Sequence, residues 1–369
     1  VTSRVHLIAA ARPNFMKVAP LYHALTAAGD FTPVLIHTGQ HYDANMSDDI
    51  FRDLSLPAPD HHMGVGSGSH AEQTAGVMVA YEKIASEDRP DWLVVVGDVN
   101  STAACALTGT KLHIPTVHLE AGLRSRDRAM PEELNRLMTD VLADVLWTPS
   151  PDADANLAAE GIPADRITRV GNIMMDSLEL IRPRLDAVAA AAGMDLRPGH
   201  YGIVTLHRPS NVDTEAMLSP IVDALAEAAQ RLPLVFPQHP RTAARLEAFG
   251  LKGRLERAGV RLVPPQSYLP FMSLMKDSAI VITDSGGLQE ETTYLGIPCL
   301  TLRDNTERPI TIDEGTNQLV KADGLVAALD AALSADRTTR SKPEFWDGET
   351  ALRCVEDLRR RAGRGNEPA

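Results

Sequence analysis

At 369 residues the chain is long for a single core, because cores stop growing at roughly 250–300 residues, and two domains are expected. Its composition, 44% hydrophobic and 23% charged, is that of an ordinary globular protein, while a net charge of −13 excludes a protein built to ride on nucleic-acid backbones or anionic membranes. Neither nucleic acid nor membrane is expected as a partner, and any phosphate has to be held by local cations.

The amino end, VTSRVHLIAAARPNFMK, has an apolar run that stops at Arg12 and Pro13, too brief for the core of a secretory leader. No run approaches the roughly 20 apolar residues of a membrane span. Cys105, Cys299 and Cys354 lie far apart, with neither disulfide-framework nor zinc spacing, so no metal site is implied and a reducing, cytoplasmic setting is the default.

Short β-rich apolar runs then alternate with helical patterns. RVHLIAA, PVLIHTG, DWLVVVGD, PTVHLEAG, ADVLWTPS and RITRVGN are the strands expected in the first half. Such alternation means a parallel sheet covered on both faces, a doubly wound, Rossmann-like α/β domain. A long helical segment from Met174 to Gly193 ends in the loop MDLRPGH, and the domain junction is placed there. YGIVTLHR, LPLVFPQHP, VRLVPP, AIVITDSGG and IPCLTLRD restart the pattern. The expected domains are 1–175 and 176–349, with an interdomain cleft between their carboxyl-end faces and a last amphipathic helix at about 350–363 packing back on the first.

Ligands of open parallel sheets bind at the carboxyl ends of strands, which makes the acid ending VVVGD, Asp98, a site candidate. It equally fits the N-cap of a helix starting near Ser101. Glu120 ends the next strand in HLEAGLR, and Glu132 and Glu133 follow in MPEELNR, where Glu133 also suits a helix N-terminus or a solvent face. In TDSGGLQEE, Ser285, Gly286 and Gly287 let backbone approach a ligand at a helix N-terminus, an anion site suited to a diphosphate. Glu291, about one turn on, is placed to accept from a ribose diol. Cations gather at other strand ends: Arg12 and Lys17, His207 and Arg208, His239 and Arg241, and Arg308. A nucleotide diphosphate needs such convergence in an acidic protein. The first turn, AAARPNFMK, lacks the glycines of a nicotinamide fingerprint, so hydride chemistry and a nicotinamide cofactor are not expected.

Taken together, ARPNFMK, HTGQHYD, VVGDVNST, HLEAGLRS, MPEELNR, GNIMMDS, TLHRPSN, TDSGGLQEE and RDNTERP resemble, in order from about Arg4 to Val320, the non-hydrolysing UDP-N-acetylglucosamine 2-epimerases. The resemblance implies two Rossmann-like domains arranged as in GT-B glycosyltransferases, a homodimer, a UDP-sugar substrate, no cofactor, and a reaction through a 2-acetamidoglucal. It implies catalytic roles for Asp98, Glu120, Glu132 and His207, and UDP contacts for Arg12, Lys17, Ser285, Gly286, Gly287, Glu291 and Arg308. Many members read G-T-R-P where this chain has Ala10, Ala11, Arg12 and Pro13. Some bacterial members use a Q-H-x-Q element to bind an activating second substrate; here Gln40 and His41 are followed by Tyr42 and Asp43, which puts such regulation in doubt. The rival readings are a UDP-sugar-dependent glycosyltransferase, which needs fewer acids in its first domain, an epimerase for a modified UDP-N-acetylhexosamine, and a UDP-sugar sensor without activity.

Overall fold

Apolar runs such as Leu93–Val96 are wholly buried, as strands sandwiched between helices must be. The computed structural model describes residues 2–10, 12–39, 51–335 and 342–364, without the side chains of Arg12 and Arg364. The chain divides into two units, 1–181 with 344–369, and 182–343.

The first unit carries a sheet of β1 (Ser3–Ala9), β2 (Phe31–His37), β3 (His61–His62), β4 (Trp92–Val96), β5 (Thr116–Leu119), β6 (Val145–Thr148) and β7 (Ile167–Arg169), in the order β3-β2-β1-β4-β5-β6-β7. The second carries β8 (Gly202–Thr205), β9 (Leu234–Pro237), β10 (Arg261–Val263), β11 (Ile280–Thr283), β12 (Cys299–Thr301) and β13 (Asn317–Leu319), in the order β10-β9-β8-β11-β12-β13. Among the described residues every pairing is parallel. Both are therefore doubly wound Rossmann-like sheets, whose order reverses between β1 and β4 and between β8 and β11. The expected strands all form; β3 and β13 are additions, two and three residues long, too short to leave a periodic signal.

Each sheet has its own apolar layers. Ile8, Ile36, Tyr81, Leu93 and Val95 pack together in the first unit, and Val204, Leu225, Phe236, Ile282 and Leu329 in the second. Among the described residues no helix is long and apolar enough to cross a membrane.

Helix Ile173–Val188 carries the chain out of the first unit, and the last helix, Thr350–Arg364, belongs to that unit again. Its attachment is specific. The buried indole of Trp147 donates to Asp357 at 2.8 Å, and Asp176 accepts the N–H groups of Thr350 at 3.1 Å and Ala351 at 2.7 Å. A helix N-terminus is thus capped by a carboxylate from far upstream.

Burial pushes the Asp176 carboxyl up to about 6, against the pull of those backbone bonds. A raised carboxyl contributes stability that is complete below its ordinary value of 3.8 and is lost as pH rises through about 6. Asp176→Asn has no charge to bury at any pH. Relative to wild type, its unfolding free energy should therefore gain about 1–3 kcal/mol between pH 4 and pH 7 in urea melts, and a gap independent of pH would contradict the assignment.

Candidate active site

In the first unit β4 ends at Val96, Gly97 turns the chain at φ +70°, and Asp98 follows. The helix-cap reading of Asp98 does not hold. Helix Asn100–Lys111 has Val99 at its N-cap with no side-chain bond, and the Asp98 carboxylate instead accepts Arg136 Nη1 at 2.5 Å. Asn135 fixes the Asp98 carbonyl at 2.9 Å.

Lys17, on helix Arg12–Ala28 after β1, forms a buried ion pair with Glu120 at the tip of β5. Glu120 sits at φ +76°, a left-handed conformation that costs a non-glycine residue energy and marks a constrained site. A Cβ added to Gly97 would lie 3.4 Å from Glu120 Oε2 and 3.5 Å from Lys17 Nζ. Lys17, Glu120 and the turn bearing Asp98 are therefore in one place, at the reversal of the first sheet.

Glu132 and Glu133, adjacent in the first turn of helix Pro131–Leu142, separate sharply. Glu133 is buried and accepts the N–H groups of Ser125 and Arg126, both at 2.9 Å, and Arg136 Nη2 at 2.6 Å. Burial pushes its carboxyl up, but the Ser125 N–H, Arg136 and the Arg126 N–H outweigh that and leave it below the usual range. Glu132 is exposed. Arg136 thus spans the structural acid Glu133 and the strand-tip acid Asp98.

Behind the turn, the buried His118 ring donates through Nε2 to the Gly97 carbonyl at 2.8 Å and through Nδ1 to Asp140 at 2.6 Å. Asp140 also takes Arg124 at 2.8 Å and the Gly122 N–H at 3.1 Å. Burial raises the Asp140 carboxyl, and His118 and Arg124 together bring it below its ordinary value. Arg136, His118 and Asp140 were not singled out from sequence; Arg136 had a signal, its place one turn after Glu132.

In the second unit, Asp284 follows β11 and is fully buried. It accepts the backbone N–H of His207 at 3.0 Å, that of Arg208 at 2.9 Å, Asn211 Nδ2 at 3.1 Å and His207 Nδ1 at 3.0 Å. Sequence reading passed over it, although it is an acid on a strand tip, like Asp98. Burial raises the Asp284 carboxyl, and its His207 and backbone partners outweigh this. The His207 and His239 rings lie 5.7 Å apart, and His239 Nδ1 accepts the Arg241 N–H at 3.2 Å.

Ser285 is the N-cap of helix Gly286–Leu295, without a side-chain cap bond. A Cβ on Gly286 would meet Glu307 Oε1 at 2.7 Å and displace the end of that side chain; at Gly287 the same position is open. Glu291 is buried and accepts Tyr268 Oη at 2.9 Å. Arg308 lies between Glu307 at 2.6 Å and Glu290 at 2.9 Å, and Arg303 pairs with Glu307 at 2.8 Å. Arg208 gives its Nε–H to the Asp284 carbonyl at 3.0 Å. Burial, then the charges of Arg303 and Arg308, weaken the hold of Arg208 on its proton, a strain that an anion would relieve. The Arg12 side chain, Gln40 and His41 lie outside the described residues.

Residues 23–359 match the family described as UDP-N-acetylglucosamine 2-epimerase. The chain belongs to the UDP-N-acetylglucosamine 2-epimerase family. A relative of that name from Methanocaldococcus jannaschii is 38% identical over 363 residues, 96% of this chain and 98% of the relative. A UDP-2,3-diacetamido-2,3-dideoxy-D-glucuronate 2-epimerase from Pseudomonas aeruginosa is also 38% identical, over 94% of this chain and 95% of its own. Among solved structures, the Methanocaldococcus jannaschii UDP-GlcNAc 2-epimerase in complex with UDP-GlcNAc and UDP superposes with a TM-score of 0.88 at 38% identity, covering 96% of this chain and 99% of that one. The family is one of epimerases, which are isomerases.

The contrast between the two adjacent acids is measurable. Glu133→Gln breaks a buried, fully bonded ion pair and should lower the unfolding free energy by about 3 kcal/mol. Glu132→Gln, on an exposed position, should stay within about 0.5 kcal/mol of wild type. Equal losses in denaturant melts would overturn this division of labour.

Proposed function

We propose that the chain is a non-hydrolysing UDP-N-acetylglucosamine 2-epimerase, interconverting UDP-N-acetylglucosamine and UDP-N-acetylmannosamine without a cofactor. The observation that carries this reading is the gathering of Lys17, Glu120, Asp98 and Arg136 at the reversal of the first sheet, in a family with a relative described with UDP-GlcNAc and UDP bound.

Carbon 2 of the sugar bears nitrogen and has no adjacent carbonyl, so neither transient oxidation to a ketone nor simple deprotonation is open to it. Elimination avoids both difficulties. A carboxylate takes the C2 proton, the C1–O bond breaks with its electron pair going to the diphosphate oxygen, and a 2-acetamidoglucal and UDP result. Protonation of C2 on the opposite face, with return of the diphosphate to C1, gives the epimer. Two acids are required, and Asp98 and Glu132 fill these roles, with Glu120 orienting them from its ion pair with Lys17. Arg136 holds the Asp98 carboxylate in a fixed direction.

The second unit carries the candidate nucleotide site. Its helix N-terminus at Ser285, Gly286 and Gly287 and the cluster of Arg208 and Arg308 suit the diphosphate, with His239 beside His207. His207 stabilises the departing phosphate, where charge develops. Glu291 holds the ribose, and Arg12 and Lys17 are further UDP contacts by resemblance to the family. The three cysteines are free thiols, which suits a cytoplasmic enzyme.

With UDP-N-acetylglucosamine in D2O and no acceptor, NMR should detect deuterium entering C2 and the second anomeric signal growing, after nicotinamides and metals have been stripped. Asp98→Asn should retain UDP binding and lose about 100-fold or more in turnover. Turnover unchanged in that variant, or no exchange in the wild type, would sink the mechanism. A second reading, an epimerase for a 2,3-diacetamido uronate, is favoured by the equal identity to the Pseudomonas aeruginosa relative. The same assay run with both UDP-sugars discriminates the two.

The assembly we propose is a homodimer. On helix Pro131–Leu142, Leu134, Met138 and Val141 form an exposed apolar stripe at helical spacing. A second copy of the same stripe is its natural cover in a twofold interface. Light scattering should give twice the chain mass, and Met138→Glu with Val141→Asp should yield monomer. A wild-type monomer at micromolar concentration would refute this interface.

A further inference from the structure

We propose that Asp284 is a positioning residue for the reaction, holding the His207 imidazole through Nδ1 so that Nε2 is the nitrogen presented to the bound diphosphate. The proposal rests on the reading of His207 as the group that meets the departing phosphate.

Three observations lead there. First, the contact is chemically one-sided. Asp284 Oδ1 lies 3.0 Å from His207 Nδ1, and an ionised carboxylate only accepts, so Nδ1 carries the proton. The other nitrogen is then fixed by default, because the bond made at one ring position decides the tautomer. Second, the carboxylate has no freedom to turn. It is fully buried, and besides the ring it takes the N–H groups of His207 and Arg208 and the amide of Asn211. Four donors saturate the lone pairs of one carboxylate, which keeps it ionised and immobile. Third, the ring so held is not a core residue. The His207 side chain is 43% exposed, so a rigid, buried clamp ends on a group open to solvent. The Asp284 carbonyl meanwhile holds Arg208 Nε at 3.0 Å, and the next residue, Ser285, opens the glycine turn. One residue thereby aims a histidine and an arginine from the loop after β8 at the anion site made by the loop after β11. In the protonated ring, Nε2–H donates to the phosphate oxygen as the C1–O bond breaks.

The test combines a spectroscopic and a kinetic reading. In wild-type protein labelled with 15N-histidine and held at alkaline pH, where an imidazole is neutral, the His207 signal, identified by its loss in His207→Ala, should report the tautomer protonated at Nδ1. This readout needs no variant of Asp284, so it decides even if Asp284→Asn fails to fold; a tautomer protonated at Nε2 overturns the proposal. If the variant folds, Asp284→Asn should lower kcat by about 100-fold. Its affinity for UDP by calorimetry should stay within about twofold of wild type. Placed in the His207→Ala background, the same substitution should cost no more than about twofold further, because a residue acting through the ring has nothing left to act on. A full additional loss in that background overturns the positioning role and leaves the role of His207 standing. Normal turnover by His207→Ala alone removes the phosphate role of His207, and the positioning role with it.

Discussion

The reversal of strand order in each parallel sheet is the constraint on which both clusters depend. Between β1 and β4, and between β8 and β11, successive crossovers leave the sheet on opposite faces, so the loops at those tips part instead of packing over one another. Parted loops leave backbone groups and side chains that need partners. In the first unit the gap takes the Lys17–Glu120 pair, packed against Gly97, and the Gly97 carbonyl is held from behind by His118. In the second it takes Asp284, which satisfies the N–H groups of His207 and Arg208 across the gap. Each cluster therefore satisfies polar groups that the reversal leaves at the strand tips.

The electrostatics follow from this. Buried carboxylates cost several kcal/mol each to desolvate, and only complete sets of partners offset that cost. Asp140 has His118 and Arg124, Glu133 has Arg136 and two backbone N–H groups, and Glu307 has Arg303 and Arg308. Burial raises Glu307, yet the two arginines hold it well below the usual carboxylate range. What these pairs contribute is a charge pattern fixed before a ligand arrives, the condition under which dipoles and ions stabilise developing charge without reorganising. Beside these pairs Asp98 and Glu132 stay accessible in the first unit, and His207 does in the second. In a chain with a net charge of −13, Arg208, Arg303 and Arg308 nevertheless come close enough for their charges to act on one another.

Much of the architecture was legible along the chain. The long apolar runs, their alternation with helices and the acids and cations at their ends follow from local pattern, because burial on both faces of a parallel sheet leaves a continuous apolar signature. The motifs gave the family, since nine of them in one order constrain far more than any one alone. The two edge strands escaped because two or three residues carry no period, and pairing to a neighbour makes them strands.

Partners were a different matter. Whether Asp98 caps a helix or meets Arg136 depends on a contact 38 positions away in sequence. Glu132 and Glu133 have the same chemistry and adjacent positions, and only the rotation of about 100° per helical residue, set against the loop at Ser125, makes one exposed and the other buried. Arg308 in RDNTERP is legible as one of the gathered cations, but not its hold by Glu307 and Glu290. Asp284 was visible as a strand-tip acid, but its four donors come from a loop some 75 residues upstream. The sequence by itself determined which residue types stand at the strand tips, because that is a property of neighbours along the chain. Tertiary structure alone decided which charges face each other, because desolvation and ion pairing depend on distances between strands that only the assembled sheet sets.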